Sequence, residues 1–336
     1  MTKTSAARRL AAAAAVGGGG LSLVGAAGYG LLRGEALFAR KVIGTFDGRV
    51  PDATGWYGRG RPGPAIKIAL LGDSSAAGYG VSTVEDTPGA MLASGVAAQA
   101  DRRVHLQALC VVGARSSDLA RQVDVAIGAG ADVAVILIGA NDVTHNVRTP
   151  TSVRFLGEAV RRLRGAGAEV VVGTCPDLGT IRPIPQPLRQ VARTWSRRLA
   201  AAQTIAVVEA GGRSISLGSI LGPEFDAAPA VLFGADRFHP SAAGYRELAR
   251  VLIPSVLAAL GHIAEDEHEP APHRGERVLS VARAAVKATR TPGTEVGAED
   301  ENDRRPRRRR RVALMRRRRR PDVATESPDE DEESGS

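Results

Sequence analysis

Short apolar runs alternate with amphipathic stretches through the middle of the chain. Runs of this kind, bounded by glycine or polar residues, are typical of strands buried on both faces of a parallel sheet. The stretches between them repeat apolar residues at helical spacing. The predicted strands are Ile66–Leu71, Val104–Cys110, Val133–Ile138, Glu169–Thr174 and Thr204–Val208, and the predicted helices are Val84–Gln99, Ser116–Ile127, Thr151–Gly165 and Arg189–Ala201.

Strands that alternate with helices predict an α/β fold. We expect a single doubly wound, flavodoxin-like parallel sheet of five strands with helices on both faces. Two stretches interrupt the alternation: Pro176–Leu188, which is stiffened by four prolines, and the long, mixed segment Gly211–Phe233. Both should border the carboxyl ends of the strands, either as loops that select a ligand there or as surface loops without a ligand role.

The amino terminus carries a candidate membrane segment. Leu10–Leu32 contains no charged residue and, as a helix, would reach about 35 Å, enough to cross a bilayer core. It is longer than the apolar part of a signal peptide, which favours a retained signal anchor over a cleaved signal peptide. The basic residues before it favour a cytoplasmic amino terminus, which would place the remainder outside the cytoplasm, on the cell membrane or secreted.

The remaining boundaries follow from composition. Residues 1–35 hold the anchor or signal peptide, 36–64 form a turn-rich connector, and 65–262 form the α/β domain. Trp56 and Tyr57 of the connector either dock on the domain, which is the plainer interpretation, or lie at a membrane interface. Residues 263–336 have few large apolar side chains, so we expect a disordered tail with a marginal helix at Val278–Ala288.

Charged residues are dense in that tail, but it is neutral as a whole, with 17 Lys and Arg against 17 Asp and Glu, so the formal net charge of +9 of the whole chain lies in residues 1–262. The tail contains the arginine clusters Arg304–Arg311 and Arg316–Arg320 and the acidic run Asp329–Glu333. The arginines could bind anionic lipid or an anionic wall polymer, or the tail could simply be solvated, with its acidic end folded back on the basic one. Nucleic acid is an unlikely partner if the domain is outside the cell.

Cys110 and Cys175, the two cysteines, each close an apolar run. In a flavodoxin-like strand order their strands are not neighbours, which favours packed core thiols over a disulfide. The six histidines show neither HxH nor HExxH spacing, which disfavours a metallohydrolase, and no GxGxxG follows the first strand, which disfavours a dinucleotide site. We therefore expect no cofactor and no metal.

Ser74 is the candidate nucleophile. It follows the first strand in Gly72-Asp73-Ser74-Ser75, just ahead of a helix amino terminus, where backbone N–H groups can stabilise an anion. Taken alone, a serine in this position is more typical of a helix N-cap than of a nucleophile. A serine nucleophile requires a base and an acid that orients that base. His239 could supply the base and Asp236 the acid. Asn141, after the third strand, offers a side-chain amide as an oxyanion donor.

These residues resemble the four sequence blocks of the SGNH (GDSL-type) hydrolases, in order, over about Lys67–Leu260. The blocks are Gly72-Asp73-Ser74, Gly113, Gly139-Ala140-Asn141-Asp142 and Asp236-Arg237-Phe238-His239-Pro240. The resemblance is to the membrane-anchored or secreted kind found in actinobacteria. It implies that Ser74 is the nucleophile, His239 the base and Asp236 its orienting acid. It also implies an oxyanion hole formed by the N–H groups of Ser74 and Gly113 and the side chain of Asn141.

The expected function is hydrolysis of carboxylic esters through an acyl-enzyme. No long aromatic-lined lid is visible, which favours short-chain or carbohydrate-linked acyl esters over long triglycerides. The alternative is an inactive binding module on the same fold that tethers the membrane to anionic polymers through its arginines. The intact set of Ser74, Asn141, Asp236 and His239 favours the enzyme.

Overall fold

The computed structural model describes residues 28–38, 49–262, 279–289, 294–298 and 311–316. Residues 28–38 are helical (α1), and Glu35 on this helix accepts a hydrogen bond from the backbone N–H of Leu188 at 2.7 Å. Most of Leu10–Leu32, the predicted membrane segment, lies outside the described residues. Within the described ranges, no helix is both long enough and apolar enough to cross a membrane.

The centre of the fold is a parallel sheet of five strands. The strands are β2 (Ile66–Gly72), β3 (Val104–Ala108), β4 (Val133–Leu137), β5 (Glu169–Gly173) and β6 (Arg213–Ile215), arranged in the order β3-β2-β4-β5-β6. Gly72 pairs in register with Leu137, and Gly173 lies between Leu137 and Ile215. The carboxyl ends of β2, β4, β5 and β6 are therefore level with one another. This is the predicted α/β architecture.

Both faces of the sheet are covered because its strands are apolar at consecutive positions. In β2, Ile68 and Leu70 pack on one face, and Ala69 and Leu71 on the other. The first face is covered by α3 (Pro88–Ala100) and α11 (Ala242–Ala259). The second is covered by α4 (Leu119–Gly128), α6 (Thr149–Gly165) and α7 (Leu188–Glu209).

The fifth strand differs from the prediction. Thr204–Val208, predicted as a strand, is the last part of α7, and the strand is β6, a few residues later. The buried residues of this helix include Ala200, Gln203, Thr204 and Val207, which recur at a helical spacing. The β-branched residues therefore belong to the buried face of a helix rather than to a strand.

Short helices occupy the loops. One of them, α2 (Ser74–Ala77), follows β2, and another, α5 (Ala140–Thr144), follows β4. Gly211–Phe233, expected as a long loop, contains β6 and three helices: α8 (Leu217–Ile220), α9 (Gly222–Ala227) and α10 (Pro229–Leu232). Pro176–Leu188 is irregular apart from one 3-10 turn, as its prolines predict.

Antiparallel strands cover the edges of the parallel sheet. The connector forms β1 (Gly55–Tyr57), which pairs with β3, while the Trp56 ring lies against His105. This is the predicted docking of the connector on the domain. Beyond β6 the sheet continues through three strands of the tail: β7 (Leu279–Ser280), β8 (Thr294–Ala298) and β9 (Arg311–Arg316), in the order β6-β8-β9-β7.

These tail segments are regular structure within a stretch that the sequence predicts to be disordered. The marginal helix predicted at Val278–Ala288 is α12 (Val281–Ala288), which packs against α7 and buries Ala285. Strand β9 contains the short apolar run Val-Ala-Leu-Met, which lies between two arginine clusters. The many charges around this run made the whole segment resemble a disordered one in the sequence. The rest of 263–336 lies outside the described residues.

Cys110 and Cys175 are free thiols, as predicted. They lie just beyond β3 and β5, and β2 and β4 separate these two strands. Burial raises the pKa of both thiols. We therefore assign them to packing and not to chemistry.

Candidate active site

Strand β2 ends in a sharp turn that delivers Ser74 to the carboxyl edge of the sheet. Gly72 has a φ of +139°, and a Cβ at this position would lie 1.9 Å from the carbonyl oxygen of Leu137. Only glycine allows β2 and β4 to come this close. The Asp73 side chain then caps α2 by accepting the N–H of Ser75 at 2.9 Å, which leaves the Ser74 hydroxyl free for another partner.

That partner is His239. The Ser74 Oγ lies 2.9 Å from His239 Nε2, although 165 positions separate the two residues in the chain. His239 Nδ1 in turn lies 2.6 Å from Oδ2 of Asp236. The structure thus brings the predicted nucleophile, base and acid into one continuous chain of hydrogen bonds.

A tight turn holds Asp236 in place. Its Oδ1 atom accepts the backbone N–H groups of both Phe238 and His239 at 2.9 Å, while Oδ2 faces the imidazole. Arg237, between them, has a φ of +57°, an unusual conformation for a residue other than glycine. This turn fixes the angle between the carboxylate and the ring, because one side chain binds the backbone and the imidazole together.

The electrostatics of Asp236 favour its charged form. Burial alone would raise the pKa of this carboxyl, but the hydrogen bonds from the His239 side chain and from the two backbone N–H groups outweigh it, so the pKa is lowered. A carboxylate that stays ionised can hold Nδ1 of His239 as a donor. Nε2 is then left as the acceptor for the Ser74 proton.

Asn141 lies near the start of α5, just beyond the carboxyl end of β4. Its Nδ2 donates to the carbonyl oxygen of Ala114 at 3.1 Å, and Val111 N–H donates to the Gly72 carbonyl at 3.0 Å. These two bonds attach the loop that contains Gly113 to Asn141 on one side and to the Ser74 turn on the other. Gly113 is exposed and has a φ of +82°.

Asp142, which the sequence did not single out as a site residue, is almost completely buried at 1% exposure. Its carboxylate accepts the N–H and the hydroxyl of Ser116, at 3.1 and 3.0 Å, and the hydroxyl of Ser152 at 2.7 Å. Asp142 therefore connects α5, the loop after Gly113 and α6. The sequence did carry a signal for it. Asp142 is the second polar residue of the Gly139–Asp142 block, and only the first, Asn141, had been given a role.

Two buried glutamines were also missed. Gln122 of α4 accepts the N–H of Gly72 at 2.7 Å and donates to the carbonyl of the same residue at 3.1 Å. Gln203 of α7 accepts the N–H of Cys175 at 2.7 Å and donates to the Ile138 carbonyl at 3.0 Å. Both side chains satisfy backbone groups at the ends of parallel strands, where the sheet ladder stops.

Asp73 is a third buried carboxyl beside the site, at 2% exposure. Burial raises its pKa to about 6, against the lowering effects of the Ser75 hydrogen bond and the nearby His239. Asp142 raises the same pKa, because two negative charges so close together repel. Asp73 is therefore the N-cap of α2 and a carboxyl group with an unusually high pKa.

Both loops expected to border the site do so. Leu178 and Ile181 from Pro176–Leu188, together with Leu217 and Phe225 from Gly211–Phe233, line an apolar cavity next to Ser74. In the ranges that the structure describes, no group of three or more His, Cys, Asp or Glu side chains is placed to hold a metal ion.

Comparison with known proteins gives a consistent result. Residues 70–247 match the model of the GDSL-like lipase/acylhydrolase family. The chain is 45% identical over 242 residues to the GDSL-like esterase Rv1075c of Mycobacterium tuberculosis, covering 68% of this chain and 77% of the relative.

Two solved structures are similar at lower identity. The lipase/acylhydrolase from Enterococcus faecalis has a TM-score of 0.43 and 23% identity, covering 57% of this chain and 96% of that one. A catalytic mutant of Axe2, an acetylxylan esterase from Geobacillus stearothermophilus, has a TM-score of 0.45 and 19% identity, covering 58% and 94%.

Proposed function

This chain belongs to the GDSL-like lipase/acylhydrolase family of ester hydrolases, and we propose that it cleaves its ester by attack of Ser74 on the carbonyl carbon. The observation that carries the assignment is the unbroken chain from Ser74 through His239 to Asp236, with distances of 2.9 and 2.6 Å. A serine hydroxyl becomes a useful nucleophile when a correctly oriented base accepts its proton.

The proposed reaction has two steps. Ser74 Oγ forms a bond to the carbonyl carbon while its proton passes to His239 Nε2, and the same proton then protonates the departing alcohol as the ester bond breaks. Water next attacks the acyl group on Ser74, gives its proton to His239, and releases the acid as Ser74 regains a proton. Asp236 stays ionised throughout and stabilises the imidazolium formed in each step.

Stabilisation of the oxyanion is assigned to the N–H groups of Ser74 and Gly113 and to Nδ2 of Asn141. The support is that Asn141 and the Gly113 loop are joined through the Ala114 carbonyl and border the Ser74 turn. Donors fixed before the reaction are effective because they do not have to reorganise when charge develops.

For the substrate we propose short-chain or carbohydrate-linked acyl esters. The support is that the loops beside the site, Pro176–Leu188 and Gly211–Phe233, are compact segments held by helices and prolines. Neither forms a long aromatic-lined lid of the kind that suits triglycerides. A binding module without turnover is the competing function, and the paired Ser74 and His239 argue against it.

The decisive experiment uses the full chain and a matched pair of serines. The wild type should hydrolyse p-nitrophenyl acetate, and Ser74→Ala should reduce its turnover to the uncatalysed rate. Ser75→Ala, the control, should retain the turnover of the wild type. A phosphonate inhibitor should add its mass to a Ser74 peptide of the wild type. Normal folding of the wild type with no hydrolysis of any ester tested would favour the binding module.

We further propose that the domain works outside the cytoplasm, tethered by Leu10–Leu32, with the arginine-rich tail able to meet anionic lipid or wall polymer. The uncharged apolar run and the preceding basic residues support this location. Trypsin added to intact cells should remove the tail. Protection of the tail until lysis would reverse the orientation and make a cytoplasmic anion its partner.

A further inference from the structure

A second pocket, which is polar, is formed by the loop before α7, the first two turns of α7 and one residue of α9. Its volume is about 90 Å³. A water molecule needs about 10–15 Å³ of free cavity volume, so this pocket has room for several waters or for one tetrahedral anion. The polar side chains that line it are Arg182, Gln186, Arg189, Gln190, Arg193 and Asp226.

Positive charge exceeds negative charge in this pocket. Three guanidinium groups line it, and Asp226 supplies the one carboxylate among the lining residues. That carboxylate lies 2.8 Å from the guanidinium of Arg182, so these two charges neutralise each other. In the part of the chain that the structure describes, Arg189 has no carboxylate partner. Its guanidinium lies 3.3 Å from the side-chain amide of Gln186, a neutral group.

Arg193 has a donor that the protein leaves unsatisfied. Its Nε lies 3.5 Å from Oδ1 of Asp177, and its Nη2 lies 3.9 Å from Oδ2 of Asp226, both longer than a good hydrogen bond. The Nε atom is buried and has no hydrogen-bond partner among the described residues. Asp177 is already bound by Arg197 through two hydrogen bonds, at 3.0 and 2.8 Å. Arg193 therefore retains hydrogen-bonding capacity for an acceptor in the pocket.

The arrangement of the donors suits a phosphate group. Arg189 and Arg193 are four positions apart on α7, so their side chains lie on the same face of the helix. A guanidinium presents paired N–H groups that match two oxygens of a phosphate or a carboxylate. A carboxylate has only these two oxygens, whereas a phosphate has more to offer to a second guanidinium. Several arginines around one small pocket therefore favour phosphate.

The first N–H groups of α7 already have partners. The Leu188 N–H donates to Glu35 of α1, and the Gln190 N–H donates to the carbonyl of Pro187. Recognition of an anion in this pocket therefore depends on side chains and not on the helix terminus.

The polar pocket shares a wall with the active site. Gly179 and Arg182 line the polar pocket, while Leu178 and Ile181, from the same turn, line the apolar cavity next to Ser74. An occupant of the polar pocket would therefore touch the loop that borders the nucleophile without reaching the nucleophile itself.

We propose that this polar pocket binds the phosphate group of a ligand through the guanidinium groups of Arg189 and Arg193 and the amides of Gln186 and Gln190. The binding is separate from catalysis and does not require Ser74 to react. Two sources supply the same chemistry. One is free phosphate or a phosphomonoester, and the other is the phosphodiester headgroup of an anionic lipid.

The test measures binding to the full chain by isothermal titration calorimetry. The probes are inorganic phosphate and glycerophosphoglycerol, which carries the phosphodiester of phosphatidylglycerol without its acyl chains. Sodium chloride at about 0.15 M screens weak contacts with exposed arginines. Equal affinity for the two probes would identify a lipid headgroup as the source, and binding of inorganic phosphate alone would identify a free phosphate. Acetate should bind this pocket at least about tenfold more weakly than phosphate.

Two positions in the pocket should control this affinity. Arg189→Gln should weaken phosphate binding by about tenfold or more, the scale for losing hydrogen bonds to a charged group. Arg189→Lys keeps the charge but not the paired donors, so it should restore only part of the affinity. Gln190→Glu places a negative charge in the pocket and should also weaken binding. An acidic residue is favourable in the first turn of a helix, so this variant should fold even if Arg189→Gln does not.

Arg198→Gln is the matched control, because Arg198 is an exposed arginine of the same helix that does not line the pocket. Its affinity for both probes should equal that of the wild type. Thermal melts show whether each variant folds.

Four results would overturn the phosphate pocket. The first is that the wild type binds neither phosphate probe, and the second is that the folded variants at Arg189 and Gln190 keep the affinity of the wild type. The third is an equal loss in Arg198→Gln, which would indicate a general attraction to positive charge. The fourth is acetate binding as tight as phosphate binding and equally dependent on Arg189. None of these measurements uses ester hydrolysis, so they are independent of the proposed function.

Discussion

The carboxylate of Asp142 accepts both the backbone N–H and the side-chain hydroxyl of Ser116, at 3.1 and 3.0 Å. Asp142 directly follows Asn141, and Ser116 lies three residues after Gly113. The pair therefore joins the two chain segments that supply the proposed oxyanion donors. Its position depends on a third partner, because Ser152 of α6 donates to the same carboxylate.

Two serine variants separate positioning from stability at this carboxylate. Ser116→Ala and Ser152→Ala each remove one hydroxyl bond to Asp142, so each should lower the free energy of unfolding by about 1.5–3 kcal/mol. Only Ser116→Ala loosens the Gly113 loop, so it alone should lower kcat, by up to about 10²-fold. An unchanged kcat in Ser116→Ala would show that Asp142 acts on stability only, and equal kcat losses in the two variants would show that positioning does not depend on the Ser116 bond in particular.

Asn141→Ala tests the oxyanion donor itself. Loss of one such donor costs about 10²–10³-fold in kcat, and KM should change little because the bond strengthens in the transition state. Circular dichroism should match the wild type, since Asn141 is only partly buried. A kcat equal to the wild type would make the bond to Ala114 purely structural.

Asp236→Asn tests the orientation of His239. The amide can still accept the two backbone N–H groups through its oxygen, but its NH₂ would face Nδ1 and favour the wrong tautomer of the ring. A drop in kcat of about 10⁴-fold is expected. Asp226→Asn, which removes an exposed carboxylate that pairs with Arg182, is the control and should stay within about twofold. Similar losses in both variants would contradict the assignment.

Asp73→Asn should stabilise the protein at neutral pH. In the folded state the pKa of Asp73 is about 6, above its ordinary value of 3.8, so the folded protein holds this proton more tightly than the unfolded chain does. The stability that this provides is complete below about pH 4 and is lost as the pH rises towards 6.

The asparagine variant has no such loss, and it can still accept the Ser75 N–H as a helix cap. Its free energy of unfolding should exceed that of the wild type by up to about 3 kcal/mol at pH 7.5, and the difference should shrink towards pH 4. Urea titrations at both pH values measure it. A difference that does not vary with pH would mean that Asp73 titrates normally.

The strands nearest the site were the easiest elements to predict. The strands β2, β4 and β5 are buried on both faces, so each appears as a continuous apolar run. Ser74 and Asn141 follow such runs, and parallel topology brings the ends of these strands to one edge. His239 arrives from a later loop, and only the block pattern indicated that it belongs there.

The edge of the sheet was harder to predict because its strand is short. Arg213–Ile215 has three residues, too few for a pattern, whereas Thr204–Val208 shows β-branched residues that resemble a strand. Gln122 was missed for another reason. From sequence alone, a polar residue on a helix is expected to face solvent unless a buried partner is known. The partner of Gln122 is Gly72, which lies 50 residues away in the chain and so could not be recognised from the local pattern.

The strand that the tail adds beside β6 also affects how copies of the protein meet. Thr294–Ala298 occupies the hydrogen-bonding edge of Arg213–Ile215, while Gly55–Tyr57 occupies the opposite edge of the parallel sheet. A chain shortened to end at residue 262 would keep every residue of the proposed catalytic chain but leave an open row of backbone donors and acceptors. Such a row is a template for pairing with another molecule. The strand Thr294–Ala298 therefore shields this edge from pairing with a second molecule, a role independent of any ligand for the arginines of the tail.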